Sequence, residues 1–522
     1  MLTFTNTMDA ETETNLSHIL ANDKKYEDFN VKNSDSYNDI ERALEVVKSF
    51  IIRKKLILYG GMAVDLALKA AKHKGIYDDN AVPDYDFYSP DFYNDSNELA
   101  DIFEKKGFTS ISSINAMHVS TRRVRINFIV VADVSYIPPE IFKNIPTMVV
   151  QGMRIVHPNF QRMDFHRSMT YAFEKPPLEV MLHRGYKDQK RFPMIAKQYP
   201  IGMSKLTQGA SVWTIPIKYL DNNVLSGVQT YCVLYQIMDE IVNGKSRLAK
   251  TIQGVVKDIS NVKHRLASLP KGSFEFSKTG KTSEQVLQCK LDKESPCNYI
   301  NIITDNVKSL EESIVMKSKK PTVKYYNQYI DDLRPKTTFI QDANYELFDN
   351  HDRKLPVFEL KSVLKLLNCE NPAARFIKIC GCHNLMLYFL QKYFDHISYT
   401  PRKVNKSEYL TMYAAVFELV SIAEVLYTAA VSSKGENATN DIFKALPFFL
   451  STNTYGASNN SADYLAMVIE KNDMINYTPR DQREDLRPPF GYYPDSMDKA
   501  LPFKPSDSRM FAFDGNEVKK SK

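Results

Sequence analysis

The chain has 522 residues, 43% hydrophobic and 25% charged, an ordinary globular mixture. At roughly 100–200 residues per domain this suggests about three domains, or two large ones. With 30 Tyr and 29 Phe a wholly disordered chain is excluded, and 18 Gly and 25 Pro exclude collagen-like and low-complexity classes. The formal charge of +6 decides little until the positive residues are located. The cysteines, Cys232, Cys289, Cys297, Cys369, Cys380 and Cys382, lack CxxC spacing. They read as reduced thiols in a cytosolic compartment.

The N-terminal MLTFTNTMDAETETNLSHIL has acidic residues and no basic-then-apolar run, unlike a secretory signal. No run approaches the ~18 uninterrupted apolar residues of a membrane span, so the expectation is a soluble, intracellular protein. Residues 1–35 are polar and read as a loose arm. From Ser36, Ile40, Leu44, Val47, Phe50 and Ile51 recur at helical spacing. LILYGG is a short strand closed by two glycines, and GMAVDLALKAAKHKG a helix. VPDYDFYS reads as a second strand, and SNELADIFEKKGF as a helix ending at Gly107. Strands are predicted around Ile111–Ser120 and along RVRINFIVVADVSYIP. Its nearly continuous apolar run Ile126–Val131 suits a strand covered on both faces. Helices and strands thus alternate over 36–140, an α/β pattern.

Residues 152–200 interleave Arg, Lys and aromatics. VWTIPIKYL is a strand candidate, and GVQTYCVLYQIMDEIVNG and SRLAKTIQGVVKDISNVKHRLASL are helices. The stretch 245–336 is basic, with 18 Lys/Arg against 10 Asp/Glu, and its SFEFSKTGKTSEQ reads as a long loop. After 355 the pattern is helical and apolar, and from Tyr477 an extended tail rich in Pro and aromatics follows.

The chemistry-bearing constellation is Gly60-Gly61, then Asp84-x-Asp86, then Asp133 ending an apolar run. At i and i+2 on a strand, Asp84 and Asp86 point to one face. Their mutual repulsion is relieved by a cation, and Mg²⁺ favours carboxylates together with substrate phosphates. Asp133 would complete a two-metal clamp if its strand lies beside the first. Gly60 and Gly61 close a strand and open a helix, which offers backbone N–H groups to phosphate.

YGGMAVDLAL, DYDFYS and IVVADVSYIP together resemble the DNA polymerase β-like nucleotidyltransferase superfamily. VPDYDFYSPD, ADVSYIP and MRIVHPNFQRMDFHRSMTYAFEKP narrow this to the viral poly(A) polymerase catalytic subunits of poxviruses and, most closely, of mimivirus-like giant viruses. The resemblance implies that Asp84 and Asp86 bind two metals, Mg²⁺ or Mn²⁺. It implies that Asp133 binds the catalytic metal and helps deprotonate an RNA 3′-hydroxyl, and that Gly60 and Gly61 hold the triphosphate of ATP. Many members have Ser after the glycines. Met62 stands there instead, so its backbone and a basic residue elsewhere would share the phosphates. Arg154, Arg162, Arg167 and Lys175 are the candidates.

The implied fold is mixed α/β, with a catalytic nucleotidyltransferase domain over 36–190. A second large α/β domain over 191–475 would resemble an inactive nucleotidyltransferase domain and include the basic stretch. The tail would be 476–522. The implied reaction is addition of AMP from ATP to the 3′ end of single-stranded RNA, in the cytoplasm (a viral factory) or in the virion. RNA contacts would come from 163–191, where Phe165, Tyr171 and Phe173 read either as core residues at helical spacing or as stacking platforms, and from 245–336. A processivity subunit or a homodimer, the latter through apolar helices after 405, is the expected partner; a membrane is not. The alternatives are a template-independent nucleotidyltransferase with another NTP, a small-molecule nucleotidyltransferase, and a non-catalytic RNA-binding subunit.

Overall fold

The computed structural model describes residues 37–77, 81–116, 120–170, 191–279, 284–317, 323–326, 337–350, 357–395 and 406–432, with Leu355, Phe449, Tyr492 and Pro494 as single positions. The expected arm, Lys175, Tyr171, Phe173 and all of the tail except Tyr492 and Pro494 lie outside them.

Helix α1 (Tyr37–Lys54) buries Ile40, Ala43, Val47, Phe50 and Ile51 along one stripe, and carries Asp39 in its first turn and Arg53 and Lys54 in its last, as its dipole favours. Strand β1 (Ile57–Tyr59) runs directly into α2 (Gly60–Ala70). Next come β2 (Tyr85–Ser89), α3 (Phe92–Lys105), β3 (Ser112–Asn115), β4 (Thr121–Ile126), β5 (Ile129–Tyr136), β6 (Thr147–Val150) and β7 (Met153–Val156), followed by α4 (Pro158–Thr170). The strands form one sheet in the order β3-β4-β5-β2-β1-β7-β6. Lys54 anchors α1 to α3 through Asp95 and Glu98, both at 2.7 Å. Ser113 of β3 exchanges a pair of 2.7 Å backbone hydrogen bonds with Tyr492, far along the chain.

The run Ile126–Val131 is not one covered strand. It contains a two-residue turn, Asn127 (φ 46°) and Phe128 (φ 64°), which reverses β4 into β5. Two successive left-handed residues form the turn geometry that matches strand twist. Phe128 is consequently 84% exposed. The polar stretch SFEFSKTGKTSEQ is also not a loop as a whole. Strands β10 (Gly272–Thr279) and β11 (Glu284–Lys293) pair there and extend onto β8 (Gln208–Pro216) as a three-stranded sheet. Its one buried face explains the alternation: Phe274, Leu287, Cys289, Leu291, Trp213 and Ile215 are inside while Ser273, Glu275 and Lys290 are outside.

A second seven-stranded sheet comprises β9 (Val224–Leu225), β12 (Ile300–Thr304), β13 (Val323–Tyr326), β14 (Thr337–Ile340), β15 (Tyr345–Asp349), β16 (Val357–Glu359) and β17 (Lys378–Cys380). Its order, β13-β14-β15-β12-β9-β17-β16, repeats that of the first sheet strand for strand. The directions repeat as well. In each sheet the strand fifth in this order (β1, β9) is antiparallel to one neighbour (β2, β12) and parallel to the other (β7, β17), and the next pair (β2/β5, β12/β15) is parallel. Each of these two strands leads into a helix through a left-handed glycine: Gly60 (φ +71°) at the start of α2, and Gly227 (φ +65°) at the start of α5 (Gly227–Asn243). A helix follows β12, α6 (Val307–Val315), as α3 follows β2.

The halves meet at α4. Its His166 donates or accepts across 3.0 Å to His383 of α7 (Cys382–Tyr393) and 2.8 Å to Tyr413 of α8 (Lys406–Ser432). Burial, then the neighbouring His383 and Arg162, holds His166 well below the ordinary imidazole range, so it is neutral. By length and composition Lys406–Ala430 could cross a membrane. In the structure Met412, Ala415, Val416, Leu419, Ile422, Ala423 and Leu426 are instead core residues. A helix apolar all round is the signature of a buried core element as much as of a span. Among the described residues all six cysteines are free thiols, and burial raises those of Cys289 and Cys380.

Candidate active site

The register brings the three aspartates together. Tyr59 of β1 lies opposite Asp86 of β2, and Asp86 opposite Asp133 of β5. Asp84 sits just before β2, with one residue between it and Asp86. One carboxylate oxygen from each of Asp84, Asp86 and Asp133 falls within 4.8 Å of the others. Three like charges at this separation are costly without a counter-cation.

Asp133 already holds part of that compensation. Arg123, its cross-strand neighbour on β4, donates from Nε to Oδ1 at 2.9 Å and from Nη2 to Oδ2 at 2.7 Å. This bidentate hold raises the Arg123 guanidinium above its usual range and fixes the carboxylate's orientation. Sequence reading missed Arg123. Its signal was the antiparallel pairing with Asp133, visible only once the turn at Asn127-Phe128 is known.

The Gly-Gly turn lies against the carboxylates. Gly60 is left-handed, and a Cβ there would collide with the Asp86 carboxylate, so both conformation and space demand glycine. Tyr59, at the N-cap of α2, caps no first-turn N–H with its side chain. The helix start therefore offers amide donors beside the aspartates. Met62 is half-buried and packs on the core of the first sheet.

Tyr77 and Arg191 flank this turn. A Cβ on Gly61 would collide with the Tyr77 hydroxyl and come 3.2 Å from Arg191 Nη2. Tyr77 is carried there by Asp65, a buried residue of α2 that accepts from the backbone N–H of Ile76 (2.8 Å) and Tyr77 (3.1 Å). Burial, set against the opposing charge of Arg191, pushes the Tyr77 phenol up to about 12, so it remains a donor. Arg191 is thus a basic side chain that the structure places at Gly61.

The basic residues singled out from sequence sit differently. Arg154 packs over the Phe142 ring and donates to the Lys55 carbonyl, at the end of β1 remote from Gly60. Arg162 is buried, donates to the Tyr199 carbonyl and lies over the rings of Phe192 and Tyr413. Arg167 pairs with Asp164 one turn back. Of the two readings of Phe165, the structure takes core packing: it lies against Phe192, ring to ring at 4.2 Å.

The carboxylate set fits a divalent cation. It is oxygen-only, converges on one point and abuts a phosphate-type turn.

The match to a family model falls on this same segment. Residues 45–175 match the family model of the poly(A) polymerase catalytic subunit. A protein of African swine fever virus (isolate Tick/Malawi/Lil 20-1/1983), provisionally named as such a subunit, is 41% identical over 222 residues, 42% of this chain and 46% of the relative. The corresponding protein of the strain Badajoz 1971 is 43% identical over 205 residues, 39% of this chain and 42% of the relative. One from Acanthamoeba polyphaga mimivirus is 32% identical over 159 residues, 30% of this chain and 26% of the relative. The matches thus span less than half the length of these relatives. The structure of the Megavirus polyadenylate synthase shares the fold, with a TM-score of 0.52 and 16% identity, over 82% of this chain and 78% of that one. The poly(A) polymerase catalytic subunits are therefore the family whose model this chain matches, over the segment that holds the whole carboxylate cluster.

Proposed function

We propose that this chain is a polynucleotide adenylyltransferase that adds AMP from ATP to the 3′ ends of single-stranded RNA. The observation that carries the reading is the convergence of Asp84, Asp86 and Asp133 against the Gly60-Gly61 turn, within the segment matching the catalytic-subunit family. Asp84 and Asp86 would hold two divalent ions and Asp133 one of them. Bound Mg²⁺ or Mn²⁺ supplies Lewis acidity towards the 3′-hydroxyl and the departing pyrophosphate.

This chain's own residues do the rest. The amides of the Gly60–Met62 turn, the Arg191 guanidinium and the Tyr77 hydroxyl bind the β- and γ-phosphates on the β1 side of the carboxylates. The RNA 3′-oxygen approaches from the opposite side, because displacement at phosphorus is in line. Asp133, oriented by Arg123, accepts the proton of the 3′-hydroxyl at a carboxylate oxygen. The bond from O3′ to the α-phosphorus forms and the bond to the β-phosphate oxygen breaks. The product ends in a new 3′-hydroxyl, so the step can repeat. The apolar residues of α8 are spent in the core and give no argument for a homodimer.

The test offers each NTP separately, with Mg²⁺ or Mn²⁺, to a labelled single-stranded RNA. Long products with ATP alone are expected. Equal extension with UTP or CTP would keep the chemistry and reject the adenylate specificity. RNA binding without extension would reject the enzyme in favour of a binding subunit.

Arg191 gives a sharper result in the same assay. Arg191→Ala should raise KM for ATP roughly tenfold to a hundredfold, the worth of one or two charge-assisted hydrogen bonds. RNA affinity should stay unchanged. An unaltered KM for ATP in Arg191→Ala, with a raised one in Arg167→Ala, would transfer the phosphate contact to Arg167.

A further inference from the structure

The β4–β5 hairpin spends stability without a return inside the protein. Phe128 has φ 64°, a left-handed conformation that strains an ordinary L-residue and that this turn position normally gives to glycine. Its ring is 84% exposed, so burial does not offset the cost. A singly exposed aromatic is unremarkable by itself. An exposed aromatic held in a strained turn at the margin of a site is a different observation, since such strain collects where substrate is handled.

The position of the turn follows from the register. Strands β2 and β5 are parallel with Asp86 beside Asp133, and β1 is antiparallel to β2 with Tyr59 beside Asp86. The end of β1 that carries Gly60 therefore lies at the same end of the sheet as the start of β5. Phe128 precedes Asp133 by five residues, so the turn overhangs the carboxylates by about 13–16 Å at that end. In the order β4-β5-β2-β1 the hairpin is on one flank of the aspartates and the Gly-Gly turn on the other. With the triphosphate on the β1 flank, in-line geometry leaves the hairpin flank to the attacking strand. The hairpin carries positive charge: Arg125, one of three arginines on β4, is half-buried, and its Nε, itself buried, has no hydrogen-bond partner.

We propose that Phe128 is a stacking platform for an unpaired base of the RNA acceptor strand upstream of its 3′ end, with Arg125 beneath it facing the backbone. This rests on the adenylyltransferase reading for the identity of the strand. Stacking on an aromatic ring is indifferent to base identity, which suits an enzyme that must accept its own growing product.

Two variants and one spectroscopic probe test it. Phe128→Gly suits the left-handed turn, so its thermal midpoint should equal or exceed that of the wild type. Its affinity for a single-stranded oligoadenylate should fall roughly 5- to 100-fold, the worth of one stacked base. KM for ATP at saturating RNA should not change. Phe128→Trp should retain affinity, and its emission, above that of the single native Trp213, should be quenched by the oligonucleotide. Phe128→Gly binding RNA within twofold of wild type, or Trp emission at 128 unchanged at saturation, would overturn the proposal, as would a wild-type protein that binds no RNA. A wild type that binds RNA but adds no nucleotide would reject the enzymatic reading alone, and the binding and fluorescence results would still decide Phe128.

Discussion

Asp86→Asn should lower the rate of nucleotide addition by at least about a thousandfold, roughly 4 kcal/mol of transition-state stabilisation, while leaving the fold intact. The protein itself carries the control for the second half of this expectation. In the second sheet the position equivalent to Asp86 is Asn301: Ser226 N–H donates to the Asn301 carbonyl at 3.0 Å, continuing the pairing of Leu225 with Ile302. A Cβ on Gly227 would collide with the Asn301 side chain, just as one on Gly60 would collide with Asp86. An amide is therefore sterically at home beside a left-handed glycine in this topology. Only the charge changes, and a neutral oxygen binds a hard divalent ion far less well than a carboxylate. Removing one of three clustered negative charges should also raise the thermal midpoint in chelator. Adding Mg²⁺ or Mn²⁺ should stabilise the wild type by mass action and the variant much less. Calorimetry with and without metal, beside primer extension, reads both effects. A variant that loses activity and also loses stability in chelator would mean that Asp86 serves the fold rather than a cation.

The legible parts of this protein were those whose chemistry is local. The two glycines, the Asp84-x-Asp86 pair and the apolar run to Asp133 carry their spacing in a few residues each, and the sheet register then brings them within 4.8 Å. Contributions from distant residues were not legible. Arg191 is 130 positions from Gly61, with nothing in its surroundings to distinguish it from the other arginines in its stretch. Arg123 depended on where β4 turns into β5, and Asn-Phe lacks the glycine that would announce the turn. The β10–β11 hairpin read as a loop because a strand with one solvated face alternates Ser, Lys and Glu with its buried residues. The second copy of the fold has lost the marks that identified the first: β9 is only two residues long, and the Asp84, Asp86 and Asp133 positions are Tyr299, Asn301 and Glu346. Its topology persists because burial patterns tolerate such exchanges, whereas metal binding does not.

Lys392→Met should be among the most destabilising single substitutions in the second half, at about 3–5 kcal/mol, the cost of leaving one member of a buried ion pair alone. Glu346 stands where the first copy has Asp133, since Asn301 pairs with Glu346 across β12 and β15 as Asp86 pairs with Asp133. Its side chain is fully buried, and Lys392 Nζ of α7 forms an ion pair with Oε1 while Asn301 Nδ2 donates to Oε2 at 2.8 Å. The ammonium also lies 5.1 Å over the Phe339 ring, and Phe339 occupies the cross-strand position that Arg123 holds in the first copy. The second copy thus also meets the carboxylate of this strand with a tethered cation, Lys392 from α7, where the first copy uses Arg123 from the neighbouring strand. Met fills the volume of the lysine stem without its charge, so packing is nearly kept and the loss isolates the electrostatics. Glu346→Gln/Lys392→Met removes both charges and should recover most of the loss, because a buried pair contributes little net stability against a neutral replacement of similar shape. Denaturant unfolding followed by Trp213, which is buried in the adjoining three-stranded sheet, measures all four corners of the cycle. A double variant no more stable than Lys392→Met would show that the lysine acts through its contacts with the rings of Phe339, Phe348 and Tyr388, and not as the counter-ion of Glu346.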